Sequence, residues 1–447
     1  MELTQKSNEL LDLFSKNKCI KQKNISDRNL DNILLEIYDD IHTAYSLRFG
    51  EIEKETKRRS FLPKISVSEI NHVREIPYPT KFPVSSFPEE IRQHINLTSK
   101  HRIDYTIKTN HRKEKEISFH FILDDKSYLG SNPNKYISYA KHMLAWLDIV
   151  NDYAYRNCAD KLDVYLYFTD LQKCMPSSNM HVLGENNVNT AFTTTCPKTS
   201  EIVIFRKEEW FKVFMHETFH NFALDFSDMN TDSAHSKIRK IFDVESDVNL
   251  FEAYTESWAE IFNICFFSYH SLDHELKNRE IYSSTYKDYA KKQRLFLKIT
   301  KSSLNIEKSY SIFQMIKALG FMGLSYEVLI SNSKDNQVLK DTLYKEDSNI
   351  LAYYVIKAII MSNYKDFLIW CKNNNTSLLQ FKTTQKNQTL FCDFIKKHYN
   401  QDSFLSQVTC FEEYTSELLE KHRKAKKKST KNSFLLNNLR MTIFELE

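Results

Sequence analysis

Glycine is almost missing from this chain: 5 of 447 residues, against about 7% in an average protein. So little glycine leaves few places for left-handed turns or close backbone approaches, and a helix-rich fold is expected. There is also no GxxxxGK[ST] or GxGxxG stretch. Without a glycine loop to cradle phosphates, nucleotide-dependent chemistry is disfavoured. Aromatic residues are abundant, 31 Phe and 24 Tyr, so aromatic packing should dominate the core. The length suits two or three structural units or one large core.

The periodicity predicts an α+β chain. Residues 1–99 form an N-terminal region: polar helices, with Leu30–Tyr38 as the clearest, then a proline-rich stretch. Five of the eight prolines fall between Pro63 and Pro88, so this stretch should be extended and run over a surface. Residues 100–225 mix strands and helices. Ile103–Lys108 and Ile117–Leu123 alternate around a charged turn, and Val164–Phe168 and Glu201–Phe205 also read as strands. Tyr136–Tyr155 carries helical periodicity. Residues 226–410 read as almost wholly helical, with Tyr310–Leu319 and Ile350–Ile360 as core helices. Residues 411–447 form a basic tail.

One short motif carries chemistry. Val213-Phe-Met-His216-Glu217-Thr-Phe-His220-Asn-Phe222 contains HExxH. On a helix, His216 and His220 lie one turn apart on one face and can grip a single metal ion, while Glu217 can polarise water beside it. Two imidazoles and a carboxylate suit zinc, one ion per chain. The flanking residues are uncharged, as a buried helix requires. Downstream, Phe251-Glu252-Ala-Tyr-Thr-Glu256-Ser-Trp-Ala-Glu260-Ile-Phe262 stacks three carboxylates at four-residue spacing on an otherwise buried helix. Such a stripe repels itself unless cations or histidines face it.

Glu256-Ser-Trp-Ala-Glu260-Ile-Phe resembles the third-ligand helix of gluzincin metallopeptidases, most of all the E-F-F-A-E-A-F segment of the anthrax lethal factor group. The resemblance covers about residues 185–265. It implies a zincin-like core, a small mixed sheet plus the HExxH helix, followed by a mainly helical half. It implies that Glu256 is the third zinc ligand and that Glu260 holds a metal-bound histidine in orientation. Glu252 is the rival ligand, with Glu256 then in the orienting role. The implied activity is hydrolysis of a protein or peptide substrate, with Glu217 as general base. The tyrosine that this group carries about two turns before the ligand is replaced by Asn249. Tyr254, Tyr310 and Tyr326 are the remaining candidates for the oxyanion. Asp225 is either a support for the metal helix or a contact at its C-terminal end. A weaker likeness, through Arg206-Lys-Glu-Glu-Trp210, is to metallopeptidases predicted in large DNA viruses, which would place the protein in a host cytoplasm or a virion.

Zincins lay the substrate along an edge strand beside the metal helix. Asn187–Thr195 is short, β-branched and follows a turn, so Asn189, Thr190, Ala191 and Phe192 are candidates for that strand. An ordinary surface hairpin is the other reading.

The net charge of +4 is too small to imply a nucleic-acid partner. The basic run 421–431 could contact nucleic acid or an acidic partner, but also reads as a solvated linker before a docking segment, Phe434–Leu439. Eight scattered cysteines without a CxxC pair make a disulfide framework unlikely and favour a reducing compartment. The N-terminus lacks a signal-peptide core and no apolar run reaches membrane-spanning length, so a cytoplasmic protein is expected. The alternative to an enzyme is a zincin-fold pseudo-enzyme that binds peptides or serves a structural role.

Overall fold

The sheet that carries the site is built from strands whose alternate residues face different layers. A computed structural model describes residues 1–20, 27–49, 63–109, 113–130, 132–277, 286–425 and 429–447. The strands are β1 (Lys64–Glu69), β2 (His101–Thr109), β3 (Lys115–Leu123), β4 (Lys161–Tyr167), β5 (Leu183–Gly184), β6 (Ala191–Thr193), β7 (Thr199–Ile204) and β8 (Glu346–Asp347). Six of them form one mixed sheet in the order β1-β2-β3-β4-β7-β6. β3, β4 and β7 are parallel and the outer pairings antiparallel. β5 and β8 make a separate two-residue pair.

The parallel pair β3–β4 needs a crossover, and helix Pro133–Tyr153 supplies it. Asn132 caps its first turn and Pro133 stands where a missing N–H is harmless. This helix packs on the face from which Ile103, Phe119, Val164 and Ile202 point into the main core. On the opposite face Tyr165, Tyr167 and Val203 meet Ile70, Ile76, Phe87, Ile91 and Ile95. The proline-rich stretch is therefore the cover of the sheet's far face. Glu201 fastens it, accepting the backbone N–H groups of Thr80 at 2.9 Å and Lys81 at 2.7 Å. The expected surface course holds. β1, the edge strand within it, was not anticipated: its residues are all exposed, so no burial pattern marks them.

The α+β architecture with a mainly helical second half is as expected. The main core runs without a break from Leu10 to Leu446, so the four sequence regions share one interior. The last residues dock as the apolar spacing suggested. Leu439, Met441, Ile443 and Phe444 are buried, and Leu3 bridges Leu446. Of the basic run, 421–424 end helix Asp402–Lys424, while 426–428 lie outside the described residues.

Two expectations need correction here. Cys19 pairs with Cys410 and Cys158 with Cys196 in disulfides. Partners separated by 391 and 38 residues leave no CxxC-like trace in the sequence. Second, Glu185–Val188 forms a short helix, so the expected strand over 187–195 shrinks to Ala191–Thr193. No helix among the described residues is long and apolar enough to cross a membrane.

Candidate metal centre

The HExxH segment lies on helix Trp210–Asn221, buried on nearly every side. It starts under strain. Glu209 precedes it with φ 60°, a left-handed conformation that costs a non-glycine residue roughly 1–2 kcal/mol. Four bonds hold it there. The Glu209 carboxylate accepts from Lys173 Nζ at 2.8 Å and from the N–H groups of Met441 and Thr442 at 2.8 and 2.7 Å. Its own N–H donates to Glu445 Oε1 at 2.9 Å. At the other end, Asn221 Nδ2 donates to Thr193 Oγ1 at 2.9 Å, tying the helix to β6.

Helix Leu250–Lys277 crosses this one and brings its glutamates against it. His216 Nε2 and His220 Nε2 lie 3.2 Å apart. Glu252 Oε2 stands 3.1 Å from the first and 3.4 Å from the second. Each Nδ1 is held from behind: His216 by Glu256 Oε2 at 2.8 Å and His220 by Asp225 Oδ2. Carboxylates behind the ring are what fixes the tautomer of a metal-binding histidine. Glu256 also accepts from Lys212 Nζ at 2.5 Å, and both side chains are buried.

The donor set fits zinc by a simple measure. A tetrahedron with metal–ligand bonds of about 2.0–2.2 Å has edges of about 3.3–3.6 Å. The three separations, 3.1, 3.2 and 3.4 Å, are close to those edges. Charge points the same way. Glu217, Glu252, Glu256 and Asp225 crowd the two imidazoles, and Lys212 offsets a single one of these charges. Buried carboxylates call for cations. Against the opposing effect of burial, Asp225 and Glu252 hold the His220 imidazole well above its ordinary range. Against the same effect, the two histidines hold the Glu252 carboxyl far below its own. Burial pushes the Glu217 carboxyl up.

Of the two glutamates expected as candidates for the third ligand, the rival one faces the histidines. Glu252, not Glu256, shares the cluster with His216 and His220. Glu256 has the orienting contact that Glu260 was expected to make. Glu260 instead accepts from Lys357 Nζ at 2.7 Å deeper in the core. The three candidate tyrosines are engaged elsewhere. Tyr254 donates to Leu379 O at 2.8 Å and Tyr326 to Tyr399 O at 2.7 Å, while the Tyr310 hydroxyl accepts from Gln314. Among the described residues that line the site, the tyrosine is Tyr353, which donates to Glu252 Oε2 at 2.9 Å. It lies in a π-helical turn, Leu351–Ile356, a distortion found often at functional sites.

These groups line a cavity of about 210 Å³, whose other wall is Asn189, Thr190, Ala191, Phe192 and Thr193. β6 is the sheet's edge, as expected of the candidate strand. Phe205 N–H bonds Thr190 O, so Thr190 and, two residues on, Phe192 form the hydrogen-bonded pairs with β7. By antiparallel alternation the N–H and C=O groups of Ala191 and Thr193 point away from β7. The Ala191 and Thr193 side chains share the face of Ile204 and Ile202, and Phe192 packs on the far face against Phe82 and Phe87. Comparison with protein families, curated proteins and solved structures finds no match.

Proposed function

We propose that this chain is a zinc-dependent peptidase of the gluzincin type, in which His216, His220 and Glu252 hold the ion. The observation that carries the reading is the convergence of three donor atoms at tetrahedral-edge spacing while each Nδ1 is pinned by a carboxylate. When bound, zinc supplies Lewis acidity, which polarises a carbonyl and acidifies water. Glu217, next to His216 on the cleft wall, accepts the proton of the attacking water and passes it to the leaving amine. The Tyr353 hydroxyl, held protonated by burial, would turn its one proton from Glu252 Oε2 to the scissile oxygen as negative charge develops there. The substrate backbone adds to β6 through Ala191 and Thr193.

The test is peptide hydrolysis by zinc-loaded protein and by Glu217→Gln. The variant should keep its zinc and lose about 10²–10⁴-fold in rate. Equal cleavage by the two proteins refutes the role of Glu217. Zinc-loaded wild type that binds peptides without cleaving them refutes the enzyme reading and favours the pseudo-enzyme.

A further inference from the structure

The sheet has two edges, and the cleft uses one of them. β6 lies beside the metal helix. β1 ends the sheet on the opposite side, with β2 as its single strand partner among the described residues. Its residues, Lys64-Ile-Ser-Val-Ser-Glu69, are all exposed. Ile65 and Val67 remain 43% and 47% exposed, although they stand opposite Tyr105 and Ile103, which are buried. These two apolar side chains therefore lie at the border of the main core with one flank open to water.

The free edge also carries unmet backbone groups. Ile70 N–H bonds Lys100 O, so Ile70 and, at two-residue steps, Ser68, Ser66 and Lys64 form the hydrogen-bonded pairs with β2. By antiparallel alternation the N–H and C=O groups of Ile65, Val67 and Glu69 point away from the sheet. Such an edge is usually guarded by a central charge, a proline or a bulge. In β1 the charges stand at the two ends, and Ile65, Ser66, Val67 and Ser68 between them carry none.

The strand is complementary to itself. In an antiparallel pair with a two-fold axis at Ser66, Ile65 stands opposite the second copy's Val67, and each such pair exchanges both of its backbone bonds. Ser66 meets Ser66. The Lys64 end of one strand lies beside the Glu69 end of the other, so the end charges attract. Pro63 closes the ladder, since it has no N–H to give. Moving the axis to Val67, the next register that keeps the faces matched, would set Glu69 opposite Ile65. A second copy of this chain thus meets the apolar, polar and charged positions of β1 in one register.

We propose that this chain pairs with a second copy of itself through β1, joining two six-stranded sheets edge to edge across a two-fold axis at Ser66. The β6 edges and the metal clusters then lie at the two far ends of the joined sheet, free to work. The pairing holds whether or not those clusters hydrolyse peptides. One strand pair is a small contact, below the roughly 1,200 Å² of a standard interface, so the dimer should exchange with monomer at a Kd on the order of 10 μM.

The experiment is sedimentation velocity of the full chain over about a hundredfold concentration range around that Kd. The mass should rise from one chain towards two. Val67→Lys puts a charge in the middle of the edge and should weaken the dimer about tenfold or more, with melting temperature and zinc content unchanged. Ser66→Cys, in a Cys174→Ser background that removes an exposed thiol, reads the register. Opposed Cα atoms at such a position lie about 4.5 Å apart, within the range a disulfide spans. Mild oxidation should cross-link Ser66→Cys about tenfold or more faster than Ser68→Cys, whose two copies are offset along the pair. A single-chain mass at every concentration overturns the inference, as does a dimer that Val67→Lys leaves intact or equal cross-linking of the two cysteine variants. A monomer whose Ile65 and Val67 amides resist hydrogen exchange has its edge covered from within the chain, which also overturns it. If Val67→Lys does not fold, Ile65→Lys makes the same test.

Discussion

Replacing Glu252 and Glu256 by glutamine, one at a time, should separate two roles that lie one helical turn apart. In Glu252→Gln the change falls on the oxygen that faces both Nε2 atoms, so zinc affinity should collapse. The metal-free fold should lose stability too, because that carboxylate is the buried partner of the two imidazoles and accepts from Tyr353. Glu256→Gln should differ in what it does to zinc. The amide oxygen can still accept from His216 Nδ1, so affinity should fall only about 10–100-fold, the usual effect of losing a partner behind a ligand. That is about 1.4–2.7 kcal/mol. The metal-free protein, however, now buries the Lys212 ammonium without its carboxylate, and removing one partner of a buried pair costs about 3–5 kcal/mol. Zinc affinity is read by competition with a chromophoric chelator and stability by urea unfolding of chelator-stripped protein. Zinc at a thousandfold excess over Kd should restore about 4 kcal/mol in the wild type and almost none in Glu252→Gln. Zinc retained in Glu252→Gln, with zinc lost and the metal-free melt unchanged in Glu256→Gln, would refute this ligand assignment.

Other consequences are open to measurement. Tyr353→Phe removes a donor at the scissile oxygen and should lower kcat about 10²–10³-fold with little change in KM; equal kcat in the two proteins removes Tyr353 from the mechanism. Acid should destabilise the protein early. Burial pushes His270 down to about 3 and His142 well below its ordinary value, and both rings share the Tyr45 hydroxyl. Their folded pKa values lie below the unfolded ones, so the unfolded chain binds protons that the folded chain refuses. Stability is therefore lost as pH falls below about 6.5, by roughly 2 kcal/mol at pH 5 for His270, with His142 adding in the same direction. The double variant His142→Gln/His270→Gln should flatten that slope, and an unchanged slope would refute the cause. Reductant should lower the melting temperature, since opening the 38-residue Cys158–Cys196 separation forfeits about 4 kcal/mol of loop-closure entropy. An unchanged melt, with both thiols of Cys158–Cys196 titratable, would show that the bond carries no stability.

The sequence was most legible where chemistry and periodicity coincide. HExxH on a buried helix, the alternating strands β2 and β3 and the crossover helix were all readable from spacing. Which glutamate faces the two histidines was not, for a specific reason. Glu252, Glu256 and Glu260 contain two overlapping Glu-x-x-x-Glu pairs, and either could supply a ligand and its supporting carboxylate. What decides is a ladder between two antiparallel helices: Lys212, His216 and His220 rise while Glu256 and Glu252 descend. Lys212, four residues before His216 on the same face, was the available clue, because a buried lysine there demands its own carboxylate opposite. Tyr353 left less trace. It lies 101 residues beyond Glu252, inside an apolar run that reads as ordinary core, and a π turn is not visible in hydrophobic spacing. The disulfides and β1 escaped for related reasons, one being non-local and the other lacking a buried face.

The bonds from Met441 and Thr442 to Glu209 have a consequence in time. The helix that carries both histidines begins at a strained residue whose carboxylate finds those two partners more than 230 residues later. At about 5–20 residues per second, a ribosome makes that stretch in roughly 10–50 s. Until Glu445 follows them, Glu209 lacks three of its four bonds, and the cavity beside the histidines lacks the wall that Met441 forms. The cluster is thus completed only after nearly all the chain described here has been synthesised, so a nascent chain carries its HExxH helix for many seconds before the strained start of that helix is fully held.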